Sequence, residues 1–211
     1  MTIQKAKEQV LKIAKRCYDE KLMAGTSGNL SVLADGGFIV ITPGSVDYSS
    51  MEVDDLVVLE LSGKVIDGPC NPSSEWRMHA EIYKALSHIK AVVHTHSPYA
   101  TSFAVLGKAV PVILNEMIPF IGGDLPVSKF ACPGAAGVGI NAVESLKDRY
   151  ACLMQNHGVL GVGKDLHQAY INATYAEDAA KIYHMAKSVG EPVILTGEQQ
   201  AEIRAIIENE G

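Results

Sequence analysis

The sequence has no apolar run approaching the roughly 18–20 residues that a helix needs to cross a bilayer, so no membrane span is expected. Its first twenty residues, MTIQKAKEQVLKIAKRCYDE, carry charge throughout and lack the apolar core of a secretory signal. The four cysteines, Cys17, Cys70, Cys132 and Cys152, are scattered and form no Cys-x-x-Cys pair. That spacing argues against a zinc–cysteine site and reads as reduced thiols in a cytoplasmic protein. Positive charge is not in excess either: 18 Lys and Arg stand against 24 Asp and Glu, a net charge of −6. Nucleic acid is therefore not expected as the main partner. An anionic small molecule stays open, because local backbone dipoles can hold a phosphate on an acidic surface. No P-loop, dinucleotide fingerprint, internal repeat or linker is present.

What is present is a well-distributed core. Of 211 residues, 47% are apolar and 20% charged, enough for a folded domain spanning 1–211. Periodicity predicts a helix over 3–20, strands over 37–43 and 55–61, a helix from Trp76 to Leu86, and strands over 90–96 and 110–116. A helix follows over 139–148, then strand, turn and strand through 150–163, a long helix ended by Gly190, and a last helix over 197–210. The alternation lacks an ordered βαβ repeat, which points to one α/β domain with a mixed sheet and helices on its faces.

The chemistry-bearing residues lie between these elements. His94 and His96 end the apolar strand VVHTH. Side chains two apart on a strand share a face, so the two imidazoles stand side by side. Alone, such a pair is balanced between a ligand pair and a strand cap. NHG at 156–158 places His157 in a tight turn, before a glycine able to take positive φ. Three histidines and an open position make a catalytic zinc arrangement. Glu75 follows Ser73 and Ser74 at a helix start. One reading is a carboxylate stabilised by the helix dipole; the other is a group shared between metal ligation and proton abstraction. Anion donors surround it: Ser73 and Ser74 themselves, Gly28 and Asn29 of GTSGN, and Gly44 and Ser45 of ITPGS, each an ordinary turn if taken singly. His79, one turn beyond Glu75, is a candidate for orienting it, whereas His88, His167 and His184 read as structural. Three histidines and a glutamate by themselves suggest a zinc hydrolase.

GTSGNLS, ITPGS, PSSEWRMH, VVHTH and QNHG, in this order and at these spacings, resemble the class II aldolase/adducin family from the first helix to about residue 195. Within it the L-fuculose-1-phosphate aldolases are most similar. The resemblance implies an α/β fold with a central, mostly antiparallel sheet flanked by helices. It also implies one zinc ion and a C4 homotetramer with active sites between subunits. Carried over by position, the zinc ligands are His94, His96 and His157, with Glu75 as fourth ligand until substrate arrives and as proton carrier afterwards. Gly28, Asn29, Gly44, Ser45, Ser73 and Ser74 hold the phosphate. The implied reaction cleaves a ketose 1-phosphate to dihydroxyacetone phosphate and an aldehyde through a metal-stabilised enediolate, without a Schiff-base lysine.

The sequence departs from the family at the aldehyde side. Glu116, in VILNEMIPF, stands where these enzymes place a tyrosine from a neighbouring subunit, and the chain ends in ENEG without the family's tyrosine near the C-terminus. Gly44-Ser45 replaces a Thr-Gly pair. Deoxypentulose phosphates thus fit as readily as fuculose phosphate. Pentulose-5-phosphate 4-epimerases of this fold carry aspartate at the position of Glu75, which favours a lyase. A sugar-acid phosphate decarboxylase on the same scaffold also uses glutamate. A non-enzymatic, adducin-like role predicts lost ligands, and all four are present.

Overall fold

The computed structural model describes residues 1–210; Gly211 lies outside the described residues. In chain order the elements are α1 (Ile3–Asp19), β1 (Asn29–Leu33), β2 (Ile39–Ile41), β3 (Val57–Leu59), β4 (Val65–Asp67), α2 (Trp76–Ala85), β5 (Ala91–Thr95), α3 (Pro98–Leu106), α4 (Met117–Ile121), β6 (Val127–Ser128), α5 (Ala136–Leu146), β7 (Ala151–Met154), β8 (Gly158–Gly163), α6 (Leu166–Val189) and α7 (Gly197–Glu210). The strands form one sheet in the order β4-β3-β2-β1-β5-β8-β7-β6. Every pairing is antiparallel except β6 with β7, which is parallel. This is the α/β fold expected from the sequence pattern, with the mostly antiparallel sheet that the family resemblance implies. Among the described residues no helix is long and apolar enough to cross a membrane.

The central strands are buried on both faces, and all but β1 read as largely apolar runs. Strict alternation then sorts their side chains. Leu30, Val32, Ala91 and Val93 face α1 and α6, where Ala6, Val10, Ala14, Ala169 and Ala173 meet them. Val92, Leu160 and Val162 face α2 and α5, packing with Met78, Ile82, Val138 and Leu146. Each large aliphatic side chain taken fully from water contributes roughly 1.5–3 kcal/mol. Gly161 lets α6 lie directly on β8: a Cβ there would come within 2.5 Å of the Ala169 carbonyl oxygen and 2.6 Å of the Ala173 nitrogen.

Two parts of the sequence pattern resolve differently. NLSVL at 29–33, expected to continue a glycine-rich turn, is the interior strand β1, paired with both β2 and β5. The strand expected over 110–116 does not form. Val110 makes a single bridge with Leu125, and the chain then runs irregularly to Glu116, the N-cap residue of α4. Pro111 has no N–H to extend a ladder. The following groups pair elsewhere: the Ile113 N–H lies 3.4 Å from Met117 Sδ, and the Val112 carbonyl accepts from the Leu195 N–H at 2.9 Å.

Candidate active site

Alternation along β5 places His94 on the same face as Val92, the face covered by α2, and His96 follows just beyond the strand end. The neighbouring strand β8 begins at Gly158, after the short turn from β7 that carries His157. Asn156, not the glycine, takes the left-handed conformation in this turn, with φ 56°. Gly158 is required for space instead: a Cβ there would lie 2.5 Å from the Thr95 carbonyl oxygen and 2.9 Å from ring atoms of both His94 and His96.

The three imidazoles converge. One ring nitrogen from each of His94, His96 and His157 falls within 4.8 Å of the others, and the Nε2 atoms of His94 and His96 are 3.0 Å apart. His94 Nδ1 donates to the Val159 carbonyl at 2.9 Å, which fixes its tautomer and leaves the Nε2 lone pair facing inward. Burial, reinforced by its histidine neighbours, pushes the His96 pKa down to about 4, so its imidazole is neutral and able to ligate. Lone pairs gathered this closely repel unless a cation lies among them. The donor set, three imidazoles and a carboxylate, suits a divalent metal.

Glu75 completes the set from the opposite side. It occupies the N-cap position of α2, yet its side chain makes no capping hydrogen bond; the Ser73 hydroxyl accepts from the Glu75 N–H instead, at 3.3 Å. The carboxylate turns inward, with Oε2 3.2 Å from His94 Nε2 and Oε1 3.1 Å from His157 Nε2. Burial alone would raise this carboxyl group, but His157 and His94 outweigh it and hold it well below the usual carboxylate range. Asn29 donates its amide to Oε2 at 2.9 Å, whereas Oε1 is buried without a hydrogen-bond partner among the described residues. A buried, unpartnered anionic oxygen facing imidazole nitrogens is itself the mark of a place made for a cation.

The cavity above this cluster gathers the anion-binding candidates. Gly28, Asn29, Gly44, Ser45, Ser73 and Ser74 all line it, together with Thr26, Ser27, Glu75, His96 and His157. Not every group there is a free donor. The Gly44 N–H donates to the Asn71 carbonyl at 3.0 Å and the Ser73 N–H to the Thr42 carbonyl at 3.1 Å, so these two backbone groups are already engaged. Ser45 adopts φ 61° at the rim. Glu116 is not part of this cavity; it is an exposed residue at the start of α4.

His79 is fully buried behind Glu75 and reaches it through Asn29, with Nε2 2.6 Å from Asn29 Oδ1. Two residues that pattern reading passed over extend this contact. Ser31 Oγ lies 2.6 Å from His79 Nδ1, and Tyr83 OH lies 2.7 Å from Ser31 Oγ. Their signal was available: Asn29 and Ser31 are two apart on a strand, and His79 and Tyr83 four apart on a helix.

The profile of the Class II Aldolase and Adducin N-terminal domain matches residues 8–184. A 5-deoxy-D-ribulose 1-phosphate aldolase from Bacillus thuringiensis serovar kurstaki is 34% identical over 212 residues, covering 100% of this chain and 99% of the relative. A 5-methylthioribulose-1-phosphate/5-deoxyribulose-1-phosphate aldolase from Rhodospirillum rubrum is 34% identical over 183 residues, 86% of this chain and 81% of the relative. Among solved structures, an L-fuculose 1-phosphate aldolase superposes with a TM-score of 0.92 at 34% identity, covering 99% of this chain and 98% of that one.

Proposed function

The chain belongs to the class II aldolase and adducin family, and from that premise we propose that it is a zinc-dependent aldolase cleaving a deoxyketose 1-phosphate to dihydroxyacetone phosphate and an aldehyde. The observation that carries this reading is the meeting of His94, His96, His157 and Glu75 beneath a rim of hydroxyl and amide groups. The first substrate to try is 5-deoxyribulose 1-phosphate, after the two relatives named for it; fuculose 1-phosphate is the second.

His94, His96 and His157 would hold the zinc ion, with Glu75 beside it. When bound, the metal supplies Lewis-acid polarisation of the substrate's carbonyl and hydroxyl oxygens. Ser45, Ser73 and Ser74 offer hydroxyl groups to the phosphate, which sets the register of the three-carbon unit. In the condensing direction the Glu75 carboxylate takes the proton from carbon 3. The electron pair left on that carbon forms the bond to the aldehyde carbon, and the aldehyde oxygen takes a proton from an acid. We assign that acid to Glu116 of a neighbouring subunit in a homotetramer. Cleavage is the reverse, and both carboxyl groups re-equilibrate with solvent between turnovers.

The test combines metal analysis with a coupled assay for dihydroxyacetone phosphate across a panel of ketose 1-phosphates. The wild-type zinc protein is expected to cleave a deoxypentulose 1-phosphate. Glu75→Gln is expected to keep its metal and lose cleavage by about 10²–10⁴-fold, the range for removing a general base. Normal cleavage by Glu75→Gln, or turnover of pentulose 5-phosphates with no cleavage of any ketose 1-phosphate, overturns the reading.

A further inference from the structure

Behind Glu75 runs an unbroken line of buried hydrogen bonds, alternating between β1 and α2: Glu75, Asn29, His79, Ser31, Tyr83. None of its last four members touches the three clustered imidazoles by hydrogen bond among the described residues.

The line has a fixed direction. An ionised carboxylate only accepts, so Asn29 must present its NH₂ to Glu75 Oε2. The Asn29 Oδ1 then faces His79 and must accept from a protonated Nε2. A neutral imidazole has one N–H, so Nδ1 is left as an acceptor for the Ser31 hydroxyl, and Ser31 Oγ accepts in turn from Tyr83. Complete burial pushes the His79 pKa down to about 3, in keeping with a neutral ring. Every donor therefore points towards Glu75.

The consequence is that the two oxygens of Glu75 are not equivalent. Oε2 is held by the Asn29 amide, whereas Oε1 faces the His157 ring nitrogen at 3.1 Å and has no hydrogen-bond partner among the described residues. Were Asn29 free to turn over, its Oδ1 would face the carboxyl group and draw a proton onto Oε2, on the side away from the cavity. The His79 N–H blocks that flip, because an NH₂ group cannot accept its hydrogen bond.

We propose that His79 is a positioning residue for the proposed general base: by donating to Asn29 it locks the amide, keeps Oε2 unprotonated and makes Oε1 the oxygen that carries the proton to and from carbon 3. This rests on Glu75 being the base.

The experiment uses the zinc-loaded enzyme. Exchange of the carbon-3 proton of dihydroxyacetone phosphate with solvent is measured at saturating substrate, alongside metal content, for His79→Leu, His79→Gln, Ser31→Ala and Glu75→Gln. Nitrogen–proton NMR correlation reads the ring tautomer of His79 without reference to activity. Wild-type His79 is expected wholly as the Nε2–H tautomer. His79→Leu should keep its metal and lose about 10–100-fold in exchange, the usual effect of removing a partner that orients a site group. His79→Gln, whose amide restores a donor to Asn29, should recover most of that loss. Ser31→Ala leaves the ring in place but frees its tautomer, so it should show mixed tautomers and a smaller loss; it carries the activity test if His79→Leu does not fold. An Nδ1–H tautomer in the wild type, wild-type exchange in His79→Leu or Ser31→Ala, or His79→Gln as slow as His79→Leu each overturn the proposal. If Glu75→Gln exchanges normally, the base assignment itself falls; if it is inactive, any of those outcomes removes only the positioning role.

Discussion

Glu75 is buried, and its carboxyl is nevertheless held well below the usual carboxylate range by His157 and His94, so the placement of the atoms around it matters. Gly158 is the least forgiving of these neighbours, because it separates His94 from His96 by having no side chain. Gly158→Ala forces the rings and the Thr95 carbonyl apart. It is expected to weaken metal binding by about 10–100-fold, as measured by chelator competition, with far-UV circular dichroism unchanged. A normal affinity would mean that the turn relaxes around the methyl group. At this scale the sequence was informative about residue types and less so about how they act. The two histidine motifs stand out because three imidazoles at strand ends are an unusual grouping, whereas Glu75 gains weight only beside them, since a carboxylate at a helix start is common. The tight turn, however, puts its positive φ on Asn156 rather than on the glycine after His157. His79 was legible only as a neighbour one turn away, because the Asn29 that links it to Glu75 arrives from a different element.

At the scale of elements, the helix periods were readable because each helix buries one stripe, as α1 does with Ala6, Val10, Ile13, Ala14 and Cys17. The strands were harder. β1 is only five residues long and follows directly on GTSG; its alternation is real but brief, and its polar members Asn29 and Ser31, which look solvent-facing in the sequence, are buried and engaged with Glu75 and His79. At 110–116 apolar residues suggested a strand, but burial against α6 and α7 accounts for them without a ladder. One element-scale contact bears on the site. The Glu177 carboxylate on α6 accepts from the N–H groups of Tyr99 and Ala100 at 3.0 and 2.7 Å, closing the first turn of α3 directly after His96. Glu177→Ala leaves those donors without their cap and is expected to cost about 1–2 kcal/mol in thermal or denaturant unfolding. A change below about 0.3 kcal/mol would show that water replaces the cap fully.

At the scale of the whole molecule, the fold class follows from alternation and burial, whereas the aldehyde side of the site does not. Glu116 does not line the cavity of the chain, and the neighbouring subunit proposed to bring it there would leave no periodic trace in the sequence. The proposed tetramer makes this testable by mixing. If each site joins Glu75 of one protomer to Glu116 of the next, Glu75→Gln and Glu116→Gln chains are each impaired alone. Randomly co-assembled in equal amounts, they should recover about a quarter of wild-type cleavage, the fraction of sites that draw both intact residues in a cyclic assembly. No recovery would place Glu116 outside the neighbouring subunit's site.

His96 and His157 stand 157 − 96 = 61 positions apart in sequence but face the same point. A cation that grips both therefore cross-links the chain, closing a long loop that includes α3, α4, α5 and β7. The unfolded chain cannot hold that closure without losing conformational freedom, and the loss grows, slowly, with loop length. In the proposed zinc enzyme, resistance to heat and proteolysis thus becomes a function of free zinc concentration, rising as the logarithm of its ratio to the dissociation constant. Metal supply would then govern how long the protein lasts as well as how fast it works.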